Sequence, residues 1–140
     1  MKEKEKKLID SLNNKFNCNI TKTEDDFEYY DGVNKKAIFE FKERNKVYRT
    51  HLLQIDKFFH LLMESEDKKK KALFVHKDES GIYIYDLHLI KKYYINPNNP
   101  APVISKVCSK QTEFSNNNKI TKYFFRFHKS DCILILSPNL

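Results

Sequence analysis

"YYDGVNKKAIFEFKERN", residues 29–45, decides how the rest of this chain is read. Ala37, Phe39 and Phe41 alternate like a strand laid on a core, with Glu40 and Lys42 between them and Asp31 across a short break. Two strands, "FEYYDGV" and "KAIFEFKER", meet around Asn34-Lys35. That loop is short enough for a hairpin, although Asn-Lys is a weaker turn signal than Asn-Gly. With a two-residue turn there, Asp31 falls opposite Ile38, on the face that carries Glu40 and Lys42. Asp31 and Glu40 are then diagonal neighbours, on the order of 7 Å apart at the backbone. A three-residue loop would send Asp31 to the other face.

Two carboxylates that close repel unless a cation lies between them, and a hard ion such as Mg²⁺ takes a few carboxylates plus water. Lys42 points at the same spot, where an ammonium can orient a water and stabilise charge developing on a phosphate. The structural alternative is a solvated sheet face, for which alternating Glu and Lys is common. A buried Asp, Glu and Lys together would be costly without a function.

Working outward, "KEKEKKLIDSLNNKF" reads as an amphipathic helix with Leu8, Ile9, Leu12 and Phe16 on one stripe, Asn17 as its stop, and Glu5 one turn before the stripe on the same side. "THLLQIDKFFHLLMES" reads as a second helix capped by Thr50. "KALFVHK" and "GIYIYDL" read as a strand pair around "DESG", "DKKKK" as a solvated turn, and "NPNNPAP" as a loop. Three short strands follow over 103–136, "VISKVC", "ITKYFFRF" and "CILIL". The aromatic run "YFFRF" has stacking potential for bases, but a core strand is favoured; "CILIL" is likewise assigned to the core rather than to a partner surface. The order implies one α+β or α/β layered domain spanning 1–140.

The composition agrees with a folded domain: 140 residues, with 11 Phe and 8 Tyr to supply apolar area. Only 2 glycines occur, so turns depend on Asn, Asp and Pro. The net charge of +7 suits a polyanionic partner, because neutralised phosphates release counterions, but a solvated lysine coat would look the same. Cys18, Cys108 and Cys132 form no C-x-x-C pair, which argues against a zinc finger or a disulfide framework. The five histidines show no ligand spacing and none is assigned to catalysis. No apolar run suits a membrane span or a signal peptide, so an intracellular protein is expected.

Helix, strand with Asp, strand with "EFK", then helix resembles the PD-(D/E)XK nuclease superfamily, including Holliday-junction resolvases and small phage-type endonucleases. The resemblance covers about residues 3–86. It implies a restriction-endonuclease-like mixed sheet flanked by helices, and a Mg²⁺- or Mn²⁺-dependent endonuclease acting on nucleic acid, with DNA, including branched DNA, favoured. Asp31 matches the first acid, Glu40 the second and Lys42 the lysine. Glu5 matches a helix glutamate used as a further metal ligand, a place that Glu3 or Glu24 could also take. Tyr30 stands where the family often has Pro. In similar nucleases a Gln or Lys on the following helix, here Gln54 and Lys57, can face the metal or the DNA backbone. Arg44, Lys46 and Arg49 directly follow the catalytic strand and could grip phosphates. Similar small nucleases often act as dimers, which leaves a homodimer open. The competing expectation is a nuclease-fold module without turnover that binds nucleic acid or protein, for example a virus-encoded inhibitor.

Overall fold

A computed structural model describes residues 2–23, 30–94, 103–109 and 119–140. Glu24 and the loop 96–102 lie outside the described residues. Helix α1 (Lys2–Phe16) is followed by β1 (Thr21–Lys22), β2 (Gly32–Val33), β3 (Ala37–Glu43) and β4 (Thr50–Gln54). Then come α2 (Ile55–Asp67), β5 (Lys71–Asp78), β6 (Gly81–Asp86), α3 (Leu87–Tyr94), β7 (Val103–Ser109), β8 (Lys119–His128) and β9 (Leu134–Leu136). The larger sheet runs β1-β2-β3-β5-β6-β9, mixed because β3 and β5 are parallel while the other pairs are antiparallel. A second antiparallel sheet, β4-β8-β7, stands beside it. The domain is mixed α+β, with three α-helices among the described residues.

Side-chain alternation along β3 builds the layers. Ala37, Phe39 and Phe41 pack with Leu8, Ile9 and Leu12 of α1, as the apolar stripe of that helix predicts. Ile38 faces the other way, into a core made by Phe58, Leu61 and Leu62 of α2, Leu87 and Ile90 of α3, and Phe125 and Phe127 of the second sheet. Glu40 and Lys42 follow Ile38 on that second side. Helix α1 ends at its expected stop, where Asn17 takes φ 53° and its N–H donates to the Asn13 carbonyl. Phe16, expected on the apolar stripe, is 46% exposed at this last turn.

Four expectations need correction. The hairpin turns at Lys35-Lys36 rather than Asn34-Lys35: Val33 pairs with Ile38, Gly32 with Phe39, and the Asn34 N–H donates to the Ala37 carbonyl. The cause is the Asn34 side chain, whose Oδ1 accepts the N–H groups of both Lys36 and Ala37. The shift moves the pairing by an even step, so Asp31 stays on the Glu40 side but lies beside Glu40 itself instead of opposite Ile38. Second, Thr50 does not cap a helix. Residues 50–54 are strand β4, with His51 and Leu53 buried against β8 partners, and the helix begins only at Ile55. Third, α3 was not foreseen, although Asp86 marks its start by accepting the His88 N–H. Fourth, "CILIL" does not bury itself in the core: β9 is the sheet edge, and Ile133, Leu134 and Ile135 are 49%, 43% and 57% exposed. "YFFRF" splits by face, with Phe125 and Phe127 buried and Tyr123 exposed.

Asn34 ties three segments together. Its Nδ2 donates to the Cys18 carbonyl after α1, and its own carbonyl accepts Lys70 Nζ from the turn before β5. We expect Asn34→Ala to lower unfolding free energy by about 1–3 kcal/mol, because it orphans partly buried partners at once. Urea denaturation checks this; a loss within a few tenths of a kcal/mol would show the turn to be set by the strands alone.

Candidate active site

The Asp31 N–H donates to the Phe39 carbonyl (2.8 Å). Its carboxylate Oδ2 accepts the Phe41 N–H (2.9 Å), in the place a neighbouring strand's carbonyl would fill. The side chain is thereby laid against β3 and brought onto the Glu40 carboxyl. Burial, and then the Asp31 carboxylate beside it, push the Glu40 pKa up to about 8, with Lys57 opposing. Lys57 Nζ stands 3.5 Å from Glu40 Oε1, an ion-pair separation but too long for a good hydrogen bond. That buried oxygen has no hydrogen-bond partner among the described residues.

Lys42 completes the group from the same side of β3. Its Nζ donates to the Leu52 carbonyl of β4 (3.2 Å). Burial, and then the charge of Arg44, lower its pKa to about 8, with Glu40 pulling the other way. An acid that resists ionising and an ammonium that releases its proton readily therefore sit together near neutral pH. The residues fit a hard divalent cation: two carboxyls meet, and one oxygen is buried without a hydrogen bond.

The remaining expected residues are placed as follows. Glu5 lies on α1, across β3 from Glu40, and its carboxylate pairs with Lys22 of β1. Glu3 is exposed. Arg44, Lys46 and Arg49 are exposed on the segment between β3 and β4, with Lys46 over the Tyr48 ring. Gln54 is the last residue of β4 and Lys57 lies on α2, so the two are not on one helical turn. Lys42 and Arg44 open onto a cleft of about 420 Å³ whose far wall carries Lys106 and Arg126 from the second sheet. Neither Lys106 nor Arg126 was foreseen, because only the pairing of β8 with β4 and β7 brings that wall over β3. A larger hollow, about 650 Å³, surrounds the hairpin turn and contains none of the site carboxylates.

A second cluster was also missed. His51, His76 and Asp78 converge, all buried, from β4 and β5. Burial lowers the pKa of His51 to about 4 and that of His76 to about 3, so both imidazoles are neutral near pH 7. No spacing in the sequence joins residues 51 and 76; the second sheet does.

No family model matches the chain, and no curated protein matches it in sequence. Among solved structures, it is similar to Hjc, a Holliday junction resolvase from Archaeoglobus fulgidus, an archaeal hyperthermophile. The likeness has a TM-score of 0.52 over 93% of this chain and 87% of that one, at 13% identity. The fold of that nuclease is thus shared. Among the described residues, no helix is long and apolar enough to cross a membrane.

The Glu40 shift sets a pH test. Its folded pKa lies above the ordinary value of 4.5. Without divalent ions, the stability Glu40 contributes is therefore complete below that value and is lost as pH rises through about 8. We expect the stability of the wild type minus that of Glu40→Gln, measured by urea unfolding in chelator, to fall across this window by roughly a few kcal/mol. A flat difference would mean that Glu40 is ionised throughout.

Proposed function

We propose that the chain is a metal-dependent endonuclease of the PD-(D/E)XK type that hydrolyses phosphodiester bonds in DNA, branched DNA included. The observation that carries this reading is the contact of Asp31 and Glu40 beside Lys42, on the strand of a fold shared with a resolvase. Asp31 and Glu40 would hold Mg²⁺ or Mn²⁺ with water completing the shell, because Glu5, expected as a further ligand, is held by Lys22 on the α1 side of β3. The bound ion would supply charge neutralisation at the phosphate and acidify a coordinated water. Lys42, its pKa lowered by burial, orients the attacking water and, in the fraction that has released its proton to solvent, accepts the water's proton as a neutral amine. The phosphorus–oxygen bond to the leaving strand breaks as the new one forms, and the leaving oxygen takes up a proton from solvent. Arg44, Lys46 and Arg49, with Gln54 at the end of β4 and Lys57 on α2, would line the approach of the phosphate backbone.

We expect Lys42→Ala to lower the cleavage rate at least about 100-fold while leaving nucleic-acid affinity largely intact, because one lysine among many adds little to binding. Asp31→Asn should abolish cleavage and still fold, since an amide oxygen can accept the Phe41 N–H in the carboxylate's place. The test is nicking of branched, duplex and single-stranded substrates with and without Mn²⁺. A folded Lys42→Ala protein that cleaves at the parental rate would remove the enzyme reading. The second reading, a binding module without turnover, draws on Lys57, whose ammonium already stands at Glu40 where a metal would be held. Metal-independent binding with no cleavage of any substrate would favour it.

We propose β9 as the surface of a homodimer: it is a sheet edge on which Leu134 and Ile135 are exposed, with exposed Ile133 just before it. We expect Ile135→Lys to shift sedimentation from dimer to monomer; a wild type that sediments as a monomer at all concentrations would refute this.

A further inference from the structure

We propose that His51, His76 and Asp78 form a second metal site, for a transition-metal ion of the Zn²⁺ class, separate from the carboxylate pair and independent of the nuclease reading. One ligand atom from each lies within 4.8 Å of the others. His51 Nε2 and His76 Nε2 are both 3.8 Å from the same atom, Asp78 Oδ2. All three atoms, and His76 Nδ1, are buried and lack a hydrogen-bond partner among the described residues. Native interiors leave only a few such atoms unsatisfied, and three that converge, His51 Nε2, His76 Nε2 and Asp78 Oδ2, ask for a common partner.

The surroundings prepare these atoms as ligands. Tyr85 Oη lies 2.6 Å from His51 Nδ1, which fixes that ring and leaves Nε2 directed at Asp78. Asp78 Oδ1 is taken by the Ser80 N–H and hydroxyl, so Oδ2 is the free oxygen. Two imidazoles and one carboxylate favour Zn²⁺ and its neighbours over Mg²⁺, which prefers oxygen ligands and water. His76 also lines the cleft beside Lys42, which offers an entry path and a place for a fourth, solvent ligand. The rings are stacked, 3.6 Å apart and 15° from parallel, so sharing an ion requires them to splay. Lys42, Arg44 and Lys129 act unfavourably on a cation here, so selectivity must come from the ligand atoms. The ion would pin β4 of the second sheet to β5 of the first, next to Lys42, which is paired in register with His76.

The experiment is calorimetric titration of Zn²⁺ into the chelator-stripped full chain, with Co²⁺ absorption spectra as a second readout. We expect one tightly bound Zn²⁺, retained when Asp31→Asn and Glu40→Gln are combined and lost in His76→Gln and Asp78→Asn. Tyr85→Phe should weaken it by about 10–100-fold without loss of fold, and this variant stands in if the ligand variants do not fold. The Co²⁺ form should show ligand-field bands without thiolate charge transfer. The proposal is overturned by no stoichiometric Zn²⁺ in the folded wild type, by loss of Zn²⁺ with the carboxylate pair, by Tyr85→Phe binding Zn²⁺ at parental affinity, or by a thiolate spectrum.

Discussion

The Phe41 N–H that would ordinarily seek a carbonyl on a neighbouring strand finds the Asp31 carboxylate, and the site depends on this substitution. Backbone donors in a covered sheet must be satisfied, so the bond holds Asp31 where electrostatics alone would not put it. Glu40, buried and then faced with that carboxylate, holds its proton to about pH 8. The local conflict is retained because the strand's hydrogen bonding compensates for it.

The same side of β3 carries Lys42 into cover. Its partner there is a carbonyl of β4, and burial, followed by the charge of Arg44, loosens its proton. Acid and base strengths thus draw together from opposite directions, Glu40 rising and Lys42 falling, under the common influence of burial. A solvated sheet face would not produce this, because water would restore both groups to their ordinary values. Of the two meanings open to the charged strand, the buried constellation is the one the fold realises.

The second sheet makes that burial possible. Strand β4 leaves β3 after an exposed basic segment and pairs with β8, a strand from the far end of the chain. One face of this sheet closes the core with Phe125 and Phe127; the other sets Lys106 and Arg126 across a cleft from Lys42 and Arg44. Closing the core therefore also gathers basic groups around Lys42. It presses His51 onto His76 as well, joining the two histidines at the seam between the sheets.

Short-range signals determined much of this protein. The stripe of α1, the Asn17 stop, the alternation of β3 with Glu40 and Lys42 on one side, and the turn between β5 and β6 are written in adjacent residues; Asp31 joins that side because the hairpin register differs from the expected one by an even step. The hairpin register escaped because it depends on where one amide side chain, Asn34, caps the turn, and Asn-Lys-Lys allows two placements. Strand β4 escaped because "THLLQ" suits a helix as well as a strand until β8 supplies the partner. Glu5 shares its helix side with Leu8, but which cation meets its carboxylate is settled by β1, through Lys22. The convergence of His51, His76 and Asp78, and of Lys106 and Arg126 with Lys42, belongs to tertiary structure alone. These residues are far apart along the chain, and only the burial of two sheet faces against each other makes them neighbours.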